Sequence, residues 1–145
     1  DRFVFVTKAS GFEINAETRV SESAIDPSRL LLLEEGHCLR DQALQFCAAA
    51  RGAASRSGAP DLGASSLSTI MQLIANGFGT TLLPEMALPV EVGANRDVLV
   101  MRFAKPEPHR EIGLAWRRTS ARKNDFVELG KMVIESHEAA LRERD

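Results

Sequence analysis

Two thiols stand in one short segment, GHCLRDQALQFC at residues 36–47, and they are the only two cysteines of the chain. Cys38 directly follows His37, Arg40 and Asp41 come within the next three positions, and Cys47 lies beside Phe46. Thiols in such a setting bind metals, attack electrophiles, or cycle between thiol, sulfenic acid and disulfide. The spacing of the pair is not that of a zinc site or a CxxC pair, and no His or Cys cluster stands ready to complete a metal site. No metal and no cofactor is expected.

The positioning element is legible. Leu39, Ala43, Phe46, Cys47 and Ala50 recur at helical spacing on one face, and Gly36 stops the apolar run before them. With Cys38 at the start of that helix, the two thiols lie roughly 13 Å and about two and a half turns apart, on opposite faces. A disulfide needs its Cα atoms within about 7 Å. The pair therefore never bonds, or bonds only through a conformational switch that unwinds the helix. The helix N-terminus favours a thiolate at Cys38. His37 and Arg40 add to this, and Asp41 opposes it, unless at the third helical position it caps the N-terminus instead. Cys47, on the apolar face, is expected to be a protonated, slow thiol. One activated and one hidden thiol suit an attacker and a resolver for a peroxide. A plainer reading stays open beside this one, in which Cys47 is a small hydrophobe and Cys38 an ordinary surface thiol.

Beyond this segment the pattern is that of an α/β protein. Residues 3–7 read as a short buried strand and residues 30–33, four leucines, as a second. AIDPSRL carries an Asp-Pro turn signal. Residues 51–66 are rich in Gly, Ala, Ser and Pro and read as loop or weak strand. In SSLSTIMQLIANGFGTTLLP a serine opens a helix with Leu67, Ile70, Met71 and Ile74 on its apolar face. Asn76-Gly77 ends it, and a short strand runs to Pro84. Residues 97–104 and 111–117 read as strands, separated by the rigid KPEP linker. Residues 124–142 read as a long amphipathic helix with Phe126, Leu129, Val133 and Ala140 on its core face. Strands alternating with helices predict a mixed sheet flanked by helices.

Composition limits the function classes. The chain has 145 residues, 44% hydrophobic and 26% charged, and a formal net charge of −2. That suits one domain, or one domain and part of another, and carries no footprint of a nucleic-acid binder. No apolar run approaches the length of a membrane span and no signal-peptide pattern is present. Two cysteines are too few for a secreted disulfide scaffold, so a reducing cytoplasm is the expected compartment. The opening at Asp1, with a strand at once under way, suggests a piece of a longer protein.

The string GHCLRDQALQFC closely resembles the regulatory domain of the OxyR family, the hydrogen-peroxide-sensing LysR-type transcriptional regulators. SSLSTIMQLIANGFGTTLLPEMALP, with its ending GxGxTLLP, looks like the helix–glycine–strand segment of LysR-type effector domains in general, and KPEPHREIGLAWR like their late crossover. The resemblance implies a periplasmic-binding-protein-like α/β effector domain. Residues 1–104 would form the second regulatory subdomain with its redox switch. Residues 105–145 would cross back to the first and add the C-terminal helix. The DNA-binding domain, the linker helix and most of the first subdomain, with the threonine hydroxyls of the family's peroxide pocket, would lie outside this sequence.

By the same resemblance Cys38 matches the peroxide-reactive cysteine and Cys47 the resolving one. His37 matches the histidine beside the reactive thiol, Arg110 an arginine of the peroxide pocket that favours the thiolate, and Asp41 lies within the matching motif. The implied function is transcription regulation rather than an enzyme. The implied partners are hydrogen peroxide, further copies of the chain as dimer or tetramer, DNA and RNA polymerase through the full-length protein, and thiol reductants such as glutaredoxin or thioredoxin. No membrane is implied. Two alternatives are weighed against it. One is a LysR-type effector domain that binds a small organic acid and keeps structural cysteines. The other is a thiol peroxidase, whose thioredoxin-like layout the sequence lacks.

Other features read more plainly. Gly77 and Gly79 follow a helix rather than open one, so they terminate it and do not cradle phosphate. His109 reads as a solvated linker residue, His137 as surface or interface, and residues 141–145 as a frayed end.

Overall fold

The computed structural model describes residues 1–9, 18–47 and 64–142. The run Phe3-Val4-Phe5-Val6 is apolar at every position, and a strand of that kind needs cover on both faces. Strand β1 (Phe3–Lys8) has it. It is the central strand of a three-stranded sheet, flanked antiparallel by β2 (Thr81–Pro84) and β3 (Val98–Arg102). Phe5 sits opposite Leu82 on one side and Met101 on the other. Parallel bridges at Val20–Phe103, Leu30–Thr80 and Leu33–Ala64 extend the pairing outward. Antiparallel and parallel pairing are therefore mixed.

Side chains alternate across a strand, and the core divides accordingly. Phe3 and Phe5 join one cluster with Ala43, Cys47, Leu82, Met101 and Phe103. Val4 and Val6 join another with Leu31, Leu33, Ile70, Met71, Ile74 and Leu83. Helix α1 (Cys38–Phe46) belongs to the first cluster and helix α2 (Leu67–Ala75) to the second. The layers run helix, sheet, helix. The two helices differ in anchorage. On α2, Ile70, Met71 and Ile74 are all at most 2% exposed, whereas Ala43 is the one buried residue within α1.

The glycines after α2 have separate tasks. Ser66 caps the N-terminus by accepting from the Thr69 N–H at 3.2 Å. At the other end Gly77 N–H donates to Ile74 O at 2.8 Å and Phe78 N–H to Leu73 O at 3.1 Å, with Gly77 at φ 87°. This double return of N–H groups to the last helical carbonyls needs a left-handed residue, which glycine adopts without penalty. Gly79 instead permits a close approach. A Cβ there would collide with the Arg29 carbonyl oxygen and come within 2.8 Å of Leu31 Cγ.

Several expectations need correction. Residues 30–33 form no ladder strand. Leu31 and Leu33 are buried, but the segment pairs only through single bridges at Leu30 and Leu33. Burial alone produced the leucine run, which is silent about pairing. Helix α1 starts at Cys38 rather than Leu39, with His37 as N-cap, and its described part ends at Phe46. Ala50 and the greater part of residues 51–66 lie outside the described residues.

The chain divides into two compact units, Asp1–Arg110 and Glu111–Asp145, so the KPEP stretch falls within the first. In the second unit residues 111–117 form no strand, because no described segment offers them a ladder. Helix α4 (Lys123–Arg142) follows; the short turn α3 (Leu88–Glu91) belongs to the first unit. Trp116 stacks on Phe126 with ring centroids 5.9 Å apart. The intended core face of α4 is not a core here: Leu129 is 46% and Val133 50% exposed, with Met132 and Ile134 more so.

Candidate functional site

The site begins at α1. Nothing in its nine residues makes an independently stable helix, because a segment this short is marginal in water without tertiary support. Support comes from Ala43 and Cys47 in the core, from Leu39, Leu44 and Phe46 packed against it, and from the Phe3–Phe46 ring contact at 5.3 Å. Cys38 is the first helical residue and exposed, while Cys47, immediately past the last turn, is 3% exposed. Both are free thiols. The Cys47 N–H still donates to Ala43 O at 3.2 Å, so its backbone closes the helix as its side chain enters the core. The two cysteines lie nine positions apart along a helical path, with eight helical residues between them, a distance no disulfide spans.

Burial pushes the Cys47 thiol up from its ordinary value, and the negative charge of Glu22 adds to the effect. The folded thiol thus keeps its proton at a pH where the unfolded one loses it. Below about pH 8 the group has no effect on the slope of stability with pH. Between the ordinary thiol range near 8.5 and the raised folded value, the unfolded state binds fewer protons and stability falls as pH rises. Urea titrations of the reduced protein at pH 7 and pH 10 are expected to show this loss, and Cys47→Ala is expected to remove that part of it.

His37 is exposed at the N-cap and its side chain makes no cap hydrogen bond. Asp41 is exposed in the first turn, and the extra helical residue places it at the fourth position rather than the third, where it makes no capping bond. It lies three residues from Cys38, on the same side of the helix. Arg40 makes its hydrogen bonds to backbone carbonyls. Its Nη1 donates to Leu33 O at 2.9 Å, half-buried, while its N–H donates to His37 O at 2.9 Å. Leu33 is in turn bridged to Ala64, and Glu34 N–H donates to Ala64 O at 3.1 Å. Arg40 thereby ties the start of α1 to the outermost paired segment. Sequence reasoning missed this because a backbone acceptor leaves no mark in residue type. Arg40→Ala is expected to cost about 1 kcal/mol. It should expose Cys47 to a thiol reagent roughly fivefold faster under conditions of rapid local opening, read by the labelling rate of the native protein.

Arg110 sits at the root of β1. Residues 108–110 continue the pairing of the strand through Phe3 N–H to Pro108 O and Arg110 N–H to Asp1 O, both 2.8 Å. Arg110 Nε meets Asp1 Oδ2 at 2.9 Å. Among the described residues no hydrogen bond joins Arg110 to Cys38 or His37. Nor do the described residues hold a group of three His, Cys, Asp or Glu suited to a metal, or a helix long and apolar enough to cross a membrane.

Comparison with known proteins adds to this geometry. The family model described as the LysR substrate binding domain matches residues 1–136. The chain belongs to the LysR substrate-binding domain family. Among curated relatives of this LysR domain, a probable hydrogen peroxide-inducible genes activator of Streptomyces viridosporus is 43% identical over 134 residues, 92% of this chain and 42% of the relative. The DNA-binding transcriptional dual regulator OxyR of Escherichia coli K12 is 42% identical over 109 residues, 72% of this chain and 33% of the relative. The chain thus spans less than half the length of these relatives. Among solved structures, a cysteine mutant of Corynebacterium glutamicum OxyR with hydrogen peroxide bound superposes with a TM-score of 0.75 at 31% identity, covering 97% of this chain and 43% of that one. The reduced OxyR regulatory domain of Pseudomonas aeruginosa gives 0.70 at 29%, covering 90% and 60%. The α/β, periplasmic-binding-protein-like effector fold expected from the sequence is the fold of this LysR domain.

Proposed function

We propose that this LysR domain is the redox-sensing part of a hydrogen-peroxide-responsive transcription regulator, with Cys38 as attacker and Cys47 as resolver. The observation that carries the reading is the contrast between the two thiols, one exposed at a helix start and one buried past its end, on a helix held by little buried surface. The Cys38 thiolate attacks one peroxide oxygen, the O–O bond breaks, and the second oxygen leaves as hydroxide and takes a proton to become water. Sulfur has then lost two electrons to the peroxide. Cys47 gives up its proton and attacks the sulfenic sulfur, and the hydroxyl of the sulfenic acid leaves with that proton as a second water. Two thiols and one peroxide give one disulfide and two waters.

The second step requires α1 to unwind and Cys47 to leave the core. A short helix with one buried residue suits that demand, since weakly anchored elements open at the lowest cost. Refolding of this segment would alter how copies of the protein pack, and so how its DNA-binding domains are spaced and meet RNA polymerase. His37, Asp41 and Arg110 support the peroxide and the thiolate. Residues 1–104 act as the second regulatory subdomain, and residues 105–145 return to the first, whose remaining core would cover the apolar face of α4. The disulfide is reduced by cytoplasmic dithiol systems such as glutaredoxin or thioredoxin. One peroxide is consumed per switching event, so the protein reports peroxide rather than clearing it.

Thiol counting by intact mass tests the proposal. Stoichiometric peroxide should remove both free thiols from the wild type and leave a trappable sulfenic acid on Cys38 in Cys47→Ser. Two free thiols after that treatment would sink it, in favour of an effector domain that binds a small organic ligand.

A further inference from the structure

Arg40 stands in the first turn of α1 but reaches out of the layer that α1 covers. Its Nη1 donates to Leu33 O at 2.9 Å, and Leu33 is buried in the second cluster, with Ala64, Ile70, Met71 and Ile74. There the Leu33–Ala64 bridge carries two hydrogen bonds, from Glu34 N–H to Ala64 O at 3.1 Å and from Ala64 N–H to Leu32 O at 3.3 Å. Two positions beyond Ala64, Ser66 caps α2 and its carbonyl accepts from Ile70 N–H at 3.3 Å. The rest of α1 keeps to the other layer. Leu39 packs against both clusters, whereas Ala43, Leu44, Phe46 and Cys47 belong to the first. The first turn of α1 is thus where the two layers meet, by packing at Leu39 and by a charge-assisted hydrogen bond at Arg40. Such a bond is directional and is lost when the backbone that carries its donor moves away. A pairing of two hydrogen bonds is short enough for one further bond to change how often it opens.

From this arrangement we infer that Arg40 is a redox latch, which holds the Leu33–Ala64 pairing and the entry to α2 while α1 is folded and releases them when α1 unwinds. The inference rests on the proposed Cys38–Cys47 switch and adds to it the residue that carries the change from the α1 layer to the α2 layer. Coupling between two places needs an element with two arrangements that biases both. Here that element is the first turn of α1. Unwinding removes the helical backbone that aims Arg40 at Leu33 O, so forming the disulfide beside one cluster loosens a pairing in the other. Arg40 acts on α2 only through Leu33 and Ala64.

The test is amide hydrogen exchange in the full-length protein, read by peptide mass over residues 32–35 and 64–70, with β1 as internal reference and free thiols counted on the same samples. In the wild type, oxidation by peroxide should speed exchange of these peptides about fivefold, the effect of one lost hydrogen bond on local opening. Reduced Arg40→Ala should already show that rise with both thiols free, and its oxidation should add less than twofold, because the two changes remove the same interaction. Arg40→Lys, which keeps a donor on a long stem, should recover part of the difference between the reduced and oxidised forms. Arg40→Gln, shorter and uncharged, serves if Arg40→Ala does not fold. A full fivefold rise on oxidation of Arg40→Ala would overturn the latch, since the change would then travel along the chain from Cys47 to Ala64. Wild-type exchange in reduced Arg40→Ala would overturn it as well. A wild-type disulfide with unchanged exchange in these peptides would overturn the latch and leave the roles of Cys38 and Cys47 standing. Two free thiols in the wild type after peroxide would remove the proposed function, and the latch with it.

Discussion

Cys38→Ser is expected to slow thiol oxidation by hydrogen peroxide by about two orders of magnitude or more, whereas Cys47→Ser should leave the first oxidation at its wild-type rate. The asymmetry follows from placement. Cys38 is exposed at the helix start, so on the proposed reading peroxide needs no motion of the protein to reach it. Cys47 lies at 3% exposure among Phe3, Phe5 and Met101, and burial with the Glu22 charge holds its proton on. Without Cys38 the remaining thiol must wait for local opening and then ionise. The second variant should stall at the sulfenic acid, and with excess peroxide pass to the sulfinic acid, because no resolver intercepts it. Stopped-flow peroxide consumption with mass detection separates the two outcomes. Equal rates in the two variants would remove the distinction between attacker and resolver.

Gly79→Ala is the second large effect, and it concerns the scaffold. The added Cβ would press on the Arg29 carbonyl oxygen and on Leu31 Cγ at 2.8 Å. Neither neighbour can yield freely. The Arg29 oxygen accepts from the Thr80 N–H at 2.8 Å, and Leu31 is buried in the cluster beneath α2. The Leu31 N–H is in turn bound to Thr80 O at 2.8 Å, and Thr81 Oγ1 donates to Leu31 O at 2.7 Å. Shifting the segment breaks several bonds together. The expected cost is about 2–3 kcal/mol, a fall in melting temperature of roughly 10 °C for a chain of this size. Gly36→Ala provides the contrast. A Cβ there meets nothing within 4 Å, and only the φ of 94° is strained, so the expected cost is about 1 kcal/mol. Thermal melts of the three proteins decide the order.

The parts of the molecule legible in the sequence are those set by local pattern. The period of Leu39, Ala43 and Cys47 placed one thiol in the core and the other at the helix start, and the Ser66 cap and the Asn76-Gly77 stop bounded α2. The unbroken apolar run in β1 was readable as a strand covered on both faces. What stayed hidden depends on partners distant in the chain. Gly79 looked like part of a helix stop, yet its need arises from the backbone of Arg29 and the side chain of Leu31. Arg40 read only as a charge near Cys38, and its hold on Leu33 O, an acceptor every residue carries, left no mark in the sequence. Asp1 and Arg110 meet only because residues 108–110 return beside β1. Residues 111–117 have the composition of a strand, but a strand exists only with a neighbour to bond.

The proposed switch requires α1 to unwind when the disulfide forms. Amide hydrogen exchange of the reduced and peroxide-oxidised protein, followed by peptide mass across residues 38–47, measures this directly. In the reduced protein the amides from Gln42 onward should be protected by their helical bonds, and in the oxidised protein that protection should vanish while β1, β2 and β3 keep theirs. A Cys38–Cys47 disulfide formed with the protection of α1 unchanged would contradict the switch, because two sulfurs with eight helical residues between them would have bonded without the motion that geometry requires.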